Sequence, residues 1–308
     1  MLATDRPRHV EIVEVAPRDG LQNERRLLTA EQKLTLIESA CDAGARRIEV
    51  TSFVRPDRVP QLADAEAVVA GLVAHPGVSY SALVLNERGY ERALAAGIRE
   101  LNTVVSASET FGQRNQGLSI AESVALAHRL AERSRADGVA LTITVSVAFG
   151  CPFEGEIEEA RLASVVDRVA ATGVTELALA DTIGVAVPTE IEARFGLLAE
   201  RAPAVRRRVH LHNTRSTGIA NAVAAVRSGV LVVDASLAGV GGCPFAPAAT
   251  GNIATEDLVY TLERMGIETG LDLDRLIAAA RALAAALGVE PPGLVSRAGT
   301  FPGDLGRR

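Results

Sequence analysis

Two histidines, His210 and His212, stand two residues apart in Val209–Thr214, a run with the composition of a β-strand. Alternate residues of a strand project from one face, so the two imidazoles can offer two nitrogens to a single ion. Taken alone, a His-x-His reads equally well as two satisfied structural histidines. Asp19 follows a first apolar run, Val10–Ala16, and Asn252 follows the last, Val230–Ala238; each adds an oxygen donor. Two nitrogens, two oxygens and open positions for water or substrate describe a Lewis-acid site, and such mixed donors do not choose among Mg, Mn, Co and Zn. Arg18, beside Asp19, cannot ligate a metal and stays charged at any working pH. Buried without a partner it would be costly, and Glu49, in the second run (Arg47–Phe53), is the natural partner. The pair reads as a structural ion pair or as a fixed cation, oriented by Glu49, where an oxyanion develops; the two are compatible. Cys243 follows Gly239-Val240-Gly241-Gly242 and precedes Pro244, a placement suited to a mobile acid/base closing over substrate. The same glycines could instead cradle a phosphate.

These residues need a scaffold that gathers strand ends. Eight β-branched runs recur along the chain: Val10–Ala16, Arg47–Phe53, Ser79–Leu85, Glu100–Ala107, Leu141–Phe149, Glu176–Thr182, Val209–Thr214 and Val230–Ala238. Their continuous apolarity suits strands covered on both faces. Helical stretches lie between them. Thr29-Ala30-Glu31-Gln32 is a capping box opening a helix through Ala43, with Gly44 placed to end it, and a second helix runs from Ser119 to about Asp137 before Gly138. An open doubly-wound sheet would carry a Gly-rich turn after its first strand, but Pro17-Arg18-Asp19-Gly20 stands there. We therefore expect an α/β fold, a (β/α)8 TIM barrel, in which chemistry sits at the C-terminal strand ends. One catalytic domain spans residues 1–308, with the barrel over about 8–270 and a short C-terminal helical extension over about 271–308. The Pro291-Pro292-Gly293 segment is placed to cover one mouth.

Composition narrows the function. The chain has 308 residues, a net charge of −6, 3% aromatics and no tryptophan, which argues against a nucleic-acid partner. Lys33 is the sole lysine and lies away from every expected strand end, so imine chemistry is disfavoured. Three scattered cysteines form no disulfide framework, no apolar run reaches the roughly 18 to 20 residues of a membrane span, and Met1–His9 is polar and lacks the apolar stretch of a signal peptide. A cytoplasmic protein without a membrane partner is expected. Cys151 is placed to line a pocket, His75 sits in a turn, His128 is on a solvated helix face, and Arg206-Arg207-Arg208 is a charged lead-in to the seventh strand.

Several longer strings then converge. Val13-Glu14-Val15-Ala16-Pro17-Arg18-Asp19-Gly20-Leu21-Gln22-Asn23-Glu24, Thr51-Ser52-Phe53-Val54, Phe149-Gly150-Cys151-Pro152-Phe153-Glu154-Gly155, Asp181-Thr182-Ile183-Gly184-Val185 and Gly239-Val240-Gly241-Gly242-Cys243-Pro244 occur in this order. In these strings the chain resembles the 3-hydroxy-3-methylglutaryl-CoA lyase family of metal-dependent carbon–carbon lyases. The resemblance implies that Asp19, His210, His212 and Asn252 bind a divalent cation, Mg or Mn. It implies Arg18 as catalytic cation, Glu49 as its partner and Cys243 as loop acid/base, with Asp19 or a histidine as the base. The implied substrate is an acyl-CoA with a 3-hydroxyl, cleaved between C2 and C3 to acetyl-CoA and a keto acid. Gln22, Ser52, Asp181 and Arg215 are the expected substrate contacts.

The departures fall near the substrate. After its His-x-His the family usually has Asp-Thr-Tyr-Gly-Gln, where this chain has Asn213-Thr214-Arg215-Ser216-Thr217, and Ala178 stands where the family commonly has Ser. Arg215 adds a cation suited to a differently placed carboxylate or a larger acyl group. The alternatives are a related lyase or condensing enzyme acting on another acyl-CoA, such as citramalyl-CoA, and a non-catalytic metal-binding homologue. A homodimer is compatible with all of these.

Overall fold

A computed structural model of the chain describes residues 7–242 and 251–301. Eight parallel strands close into a barrel in sequence order: β1 (Glu11–Glu14), β2 (Arg47–Ser52), β3 (Ser79–Leu83), β4 (Glu100–Ser106), β5 (Ala140–Ser146), β6 (Glu176–Asp181), β7 (Arg206–Leu211) and β8 (Val232–Ala235), with β8 pairing back onto β1. Around it run α1 (Ala30–Asp42), α2 (Ala65–Ala70), α3 (Glu87–Ala96), α4 (Glu109–Gln116), α5 (Ile120–Asp137), α6 (Glu159–Ala170), α7 (Pro188–Arg201), α8 (Gly218–Arg227), α9 (Thr255–Arg264), α10 (Leu273–Leu287) and α11 (Val295–Ala298). The chain is a (β/α)8 TIM barrel. The capping boxes of Thr29 with Gln32 and of Ser119 with Glu122 form as the sequence suggests, each satisfying two otherwise orphaned amides at a helix start.

Two boundaries shift. β7 starts at Arg206, three residues earlier than its apolar run, and ends at Leu211, so His212 lies just beyond it. β8 ends at Ala235, and the chain then turns through Ala238, a non-glycine residue held at φ +63°. The helix expected from about Leu271 is α10, and the Pro–Gly segment after it takes a different place from the expected one. α10 packs against α1 and α9 and completes the outer ring. Gly293 donates its N–H to the Ala238 carbonyl at 2.9 Å, behind the turn that follows β8, and no residue of the Pro291–Gly293 segment lines the barrel mouth.

The aliphatic core lies between strands and helices, whereas the barrel interior is charged. Across its base, Arg47 of β2 donates to both oxygens of Glu176 (2.8 and 2.7 Å) and pairs with Glu100, and Thr142 of β5 donates to Glu176 at 2.9 Å. One inward step higher come Glu49, Asn102, Thr144, Arg208 and Asp234. This is the two-residue periodicity of barrel layers, here largely polar, with Val13, Val15 and Val232 as an aliphatic patch on the side of β1 and β8.

Two further carboxyls are buried behind the last strand. Glu14 accepts from the amides of Ala16 (2.8 Å) and Leu237 (3.0 Å) and from the Thr255 hydroxyl (2.7 Å). Glu256 accepts from the Ala238 amide at 3.1 Å, and its other oxygen has no hydrogen-bond partner. Burial pushes Glu14 up to about 7 and Glu256 up to about 8, from the ordinary 4.5. The folded protein therefore retains protons that the unfolded chain releases, so stability falls as pH rises from about 5 to 8, by at most about 1.4 kcal/mol per pH unit per group. Thermal unfolding should show a lower midpoint at pH 8.5 than at pH 6, with a shallower fall in Glu256→Gln; an identical fall in that variant would exclude Glu256 as the cause.

Candidate active site

Glu14 begins the construction of the site. Beyond it the backbone makes one wide turn, Ala16–Gly20, closed by the Gly20 N–H to the Val15 carbonyl (3.1 Å) and the Leu21 N–H to the Ala16 carbonyl (3.0 Å). Wide turns of this kind recur at functional sites. A Cβ at Gly20 would come within 2.8 Å of the Ser236 hydroxyl, so glycine lets the turn press against the segment after β8. The turn presents Arg18 and Asp19 side by side and buried. Arg18 Nε pairs with Glu49 Oε1, and Arg18 Nη1 with Asp19 Oδ1. Glu49 is fully buried; Asn102 donates to its second oxygen at 3.3 Å, and Thr144 donates to Asn102 at 2.9 Å.

Facing this pair, His210 Nε2 and His212 Nε2 lie 3.2 Å apart, at 3.7 and 3.9 Å from Asp19 Oδ2. The other nitrogen of His210, Nδ1, lies 3.0 Å from Asp234 Oδ2, which fixes the ring and leaves Nε2 free toward the cluster. Burial opposes charge on Asp19, but Arg18 and the two imidazoles override it and hold the carboxyl well below its usual range. For His210, burial is likewise outweighed, by Asp234 and Asp19, and its affinity for a proton is raised. Asn252 reaches the same point through backbone pairing of its segment with the end of β7: Asn213 N–H to Gly251 O (3.0 Å) and Ile253 N–H to Leu211 O (3.2 Å). Its amide nitrogen donates to Asp19 Oδ2 (3.0 Å) and to the Val240 carbonyl (3.2 Å), so a half-turn of the amide would bring the oxygen to the cluster.

The cluster fits a divalent ion. Donors about 2.1 Å from an ion are spaced by roughly 3.0 to 3.4 Å in octahedral and tetrahedral shells, close to the separations seen here. Two bare imidazole nitrogens at 3.2 Å repel each other unless a proton or cation lies between them. Among the described residues, Asp19, His210 and His212 form the one group of metal-ligating side chains whose donor atoms all lie within 4.8 Å of one another. Charge points the same way. Inside the barrel, the five carboxylates of Asp19, Glu49, Glu100, Glu176 and Asp234 face the three guanidiniums of Arg18, Arg47 and Arg208, a deficit of two positive charges.

A cavity of about 620 Å³ opens above the cluster, walled by Gln22, Leu85, Asn102, Phe111 and Thr144 among others. Of the expected substrate contacts, Gln22 is on this wall. Ser52 is buried, with its hydroxyl unpartnered, and does not line the cavity. Asp181 turns away: its carboxylate accepts from the amides of Val185 (2.9 Å) and Ala186 (3.0 Å) and shapes the β6–α7 loop. Arg215 spends its guanidinium on the carbonyls of Ile183 (3.2 Å) and Gly184 (2.8 Å), off the cavity wall. Cys243 lies outside the described residues; Gly242, its neighbour, is at the cavity wall and accepts from the Asn23 amide. Cys151 is buried beside Ser108 (3.0 Å) rather than on that wall. Sequence reasoning missed Asp234 and Arg208, whose signal was a charge at an inward position of a strand.

Fold and site define a barrel enzyme whose C-terminal mouth joins a set of metal-ligating side chains to a buried cation. Comparison with known proteins agrees and is more specific. The HMGL-like family model matches residues 9–283, and the chain belongs to this family of carbon–carbon lyases. It is 44% identical over 300 residues to the (R)-citramalyl-CoA lyase of Chloroflexus aurantiacus, covering 94% of this chain and 95% of that one. To the mitochondrial hydroxymethylglutaryl-CoA lyase of Homo sapiens it is 40% identical over 292 residues, covering 95% and 90%. A solved HMG-CoA lyase of A. baumannii, in complex with coenzyme A and 3-methylmalate, superposes with a TM-score of 0.92 at 39% identity, covering 97% of this chain and 98% of that one. Calorimetric titration with Mn²⁺ should detect one site per chain, weakened about 10- to 100-fold in Asp234→Asn because the His210 ring loses its anchor; unchanged affinity would remove Asp234 from that role.

Proposed function

We propose that the chain is a divalent-metal-dependent lyase that cleaves a 3-hydroxy-3-substituted acyl-CoA, 3-hydroxy-3-methylglutaryl-CoA or a close analogue, to acetyl-CoA and a keto acid. The observation that carries this reading is the placement of Arg18, fixed by Glu49, directly beside the Asp19, His210 and His212 cluster at the floor of one cavity. Asp19, His210, His212 and Asn252 would hold the ion, and Mg²⁺ or Mn²⁺ suits a site in which oxygen donors and water complete the shell. When bound, such an ion supplies Lewis acidity at the substrate's 3-hydroxyl and a neighbouring oxygen.

The protein's own groups account for the remaining steps. Asp19 and His210 are the groups placed to take the hydroxyl proton. As the C2–C3 bond breaks, its electron pair passes to the thioester, and the negative oxygen of the resulting enolate meets Arg18. That charge develops in a site depleted of water, where a preorganised cation acts most strongly. Protonation of the enolate carbon gives acetyl-CoA, and the resemblance assigns this proton to Cys243. Coenzyme A carries phosphates, and the cavity wall offers Arg55, Arg58 and Arg114, the last stacked 4.3 Å from the Phe153 ring centroid. Arg297, on α11, pairs with Glu290 at 3.3 Å and is not on this wall, so we assign the phosphates to the former arginines. We read the compartment as cytoplasmic, with Cys41 and Cys151 as free thiols. Among the described residues no helix is long and apolar enough to cross a membrane.

The citramalyl-CoA lyase relative makes citramalyl-CoA the second substrate to assay. Product analysis with both thioesters, with Mg²⁺, with Mn²⁺ and with chelator, tests the reading: acetyl-CoA with acetoacetate or with pyruvate supports it, and no cleavage under any metal overturns it. Arg18→Gln should lower turnover about 10²- to 10³-fold with metal content retained; near-normal turnover would exclude the oxyanion role.

A further inference from the structure

Arg206-Arg207-Arg208 reads in sequence as a lead-in to a strand, but its three members part company in the structure. Arg206 is exposed and pairs with Glu11 at 2.8 Å. Arg207 lies against Gly229 on the outside. Arg208 points into the barrel, where only 1% of its side chain meets solvent. Its Nε donates to Asp234 Oδ1 at 2.5 Å. Nη1 lies 3.5 Å from Glu176 Oε1, and Nη2, which has no hydrogen-bond partner, lies 3.8 Å from Glu49 Oε2.

Both carboxylates reached from the upper part of this guanidinium use their other oxygen on the active site. Asp234 Oδ2 holds His210 Nδ1, and Glu49 Oε1 holds Arg18 Nε. The two would repel each other without a cation between them. We propose that Arg208 is a positioning residue that couples the halves of the active site, setting Asp234 toward His210 and Glu49 toward Arg18 through one rigid fork. The inference rests on reading the Asp19, His210 and His212 cluster as a metal centre and Arg18 as the oxyanion cation. A planar guanidinium suits this task, because its hydrogen bond to Asp234 fixes the plane that keeps Nη2 beside Glu49, whereas an ammonium is a point charge on a flexible stem. A residue that merely neutralised buried charge would be replaceable by lysine.

Arg208→Lys separates these roles. The expected result is a folded protein whose Mn²⁺ affinity falls about 10-fold, as for lost support of a metal-bound histidine. At saturating Mn²⁺, kcat should also fall about 10-fold or more, with KM for the acyl-CoA within about 2-fold of wild type, the pattern of a loss felt mainly in the transition state. In the Arg18→Gln background the kcat effect of Arg208→Lys should shrink while the Mn²⁺ effect persists, since only the first passes through Glu49 and Arg18. If Arg208→Lys does not fold, Arg208→Met combined with Asp234→Asn removes one charge of each sign and should lose no more Mn²⁺ affinity than Asp234→Asn alone, because both act on His210 through one path; a further loss would overturn the proposal. Wild-type Mn²⁺ affinity and kcat in a folded variant would overturn the proposal, and full additivity with Arg18→Gln would overturn its Glu49 arm. A wild-type chain that binds no Mn²⁺ would overturn the metal-centre reading, and this proposal with it.

Discussion

Arg18 meets Glu49 with both side chains buried, and breaking a buried pair of this kind by removing one partner costs about 3–5 kcal/mol. The upper barrel is arranged around that constraint. Arg18 comes from the wide turn after β1 and Glu49 from the middle of β2, so the pair fixes how the turn sits on the sheet. Glu49 in turn needs its second oxygen satisfied, and Asn102, Thr144 and the nearby Arg208 attend to it. Arg208 needs Asp234 and Glu176, and Glu176 needs Arg47. The obligation to pair each charge runs from the mouth to the base of the barrel, and most aliphatic packing is left to the space between strands and helices, apart from Val13, Val15 and Val232.

This arrangement prepares the site for chemistry before substrate arrives. The histidine ring is aimed by Asp234, the guanidinium by Glu49, and neither must be recruited from solvent during the reaction. In the proposed reaction, low local dielectric would strengthen the attraction between a developing oxyanion and Arg18. Carboxylates outnumber guanidiniums in the barrel interior, and the metal-ligating atoms converge at Asp19, His210 and His212, so a cation bound there would also reduce that imbalance.

Much of this was legible in the sequence because charged residues are rare in apolar runs. Eight such runs imply the barrel, and Arg18, Asp19, Glu49, His210, His212 and Asn252 stand out within or just beyond them; the structure brings these six together. Position at a strand end does not fix direction, however. Asp181 lies one residue out of phase with the inward-facing Ala180 and Thr182, and so serves loop amides. Arg215, one turn past β7, finds two carbonyls before it can reach the cavity. Arg208 and Asp234 went unread for the opposite reason. A triple arginine looks like surface until the strand is known to begin at Arg206, which puts Arg208 and His210 on the same inward face.

The carboxyls show how context divides one functional group between two tasks. Asp19 and Glu176 have guanidinium partners, and their carboxyls are held below the ordinary range although burial opposes it. Glu14 and Glu256 lie a short distance behind, with amides and a hydroxyl for partners but no arginine, and burial raises them to about 7 and 8. Between them they hold the amides of Leu237 and Ala238, the second in a left-handed conformation unfavourable for alanine. That turn leads into Gly241 and Gly242 at the mouth. A Cβ at Gly251 would lie 1.4 Å from the Gly241 carbonyl, so the two segments cross there at backbone contact. Ionised pairs therefore fix the reacting groups from below, while proton-retaining carboxyls clamp the backbone that leads to the mouth from behind. The first arrangement keeps charged groups fixed at the site proposed for catalysis; the second holds a strained turn without adding negative charge beside it.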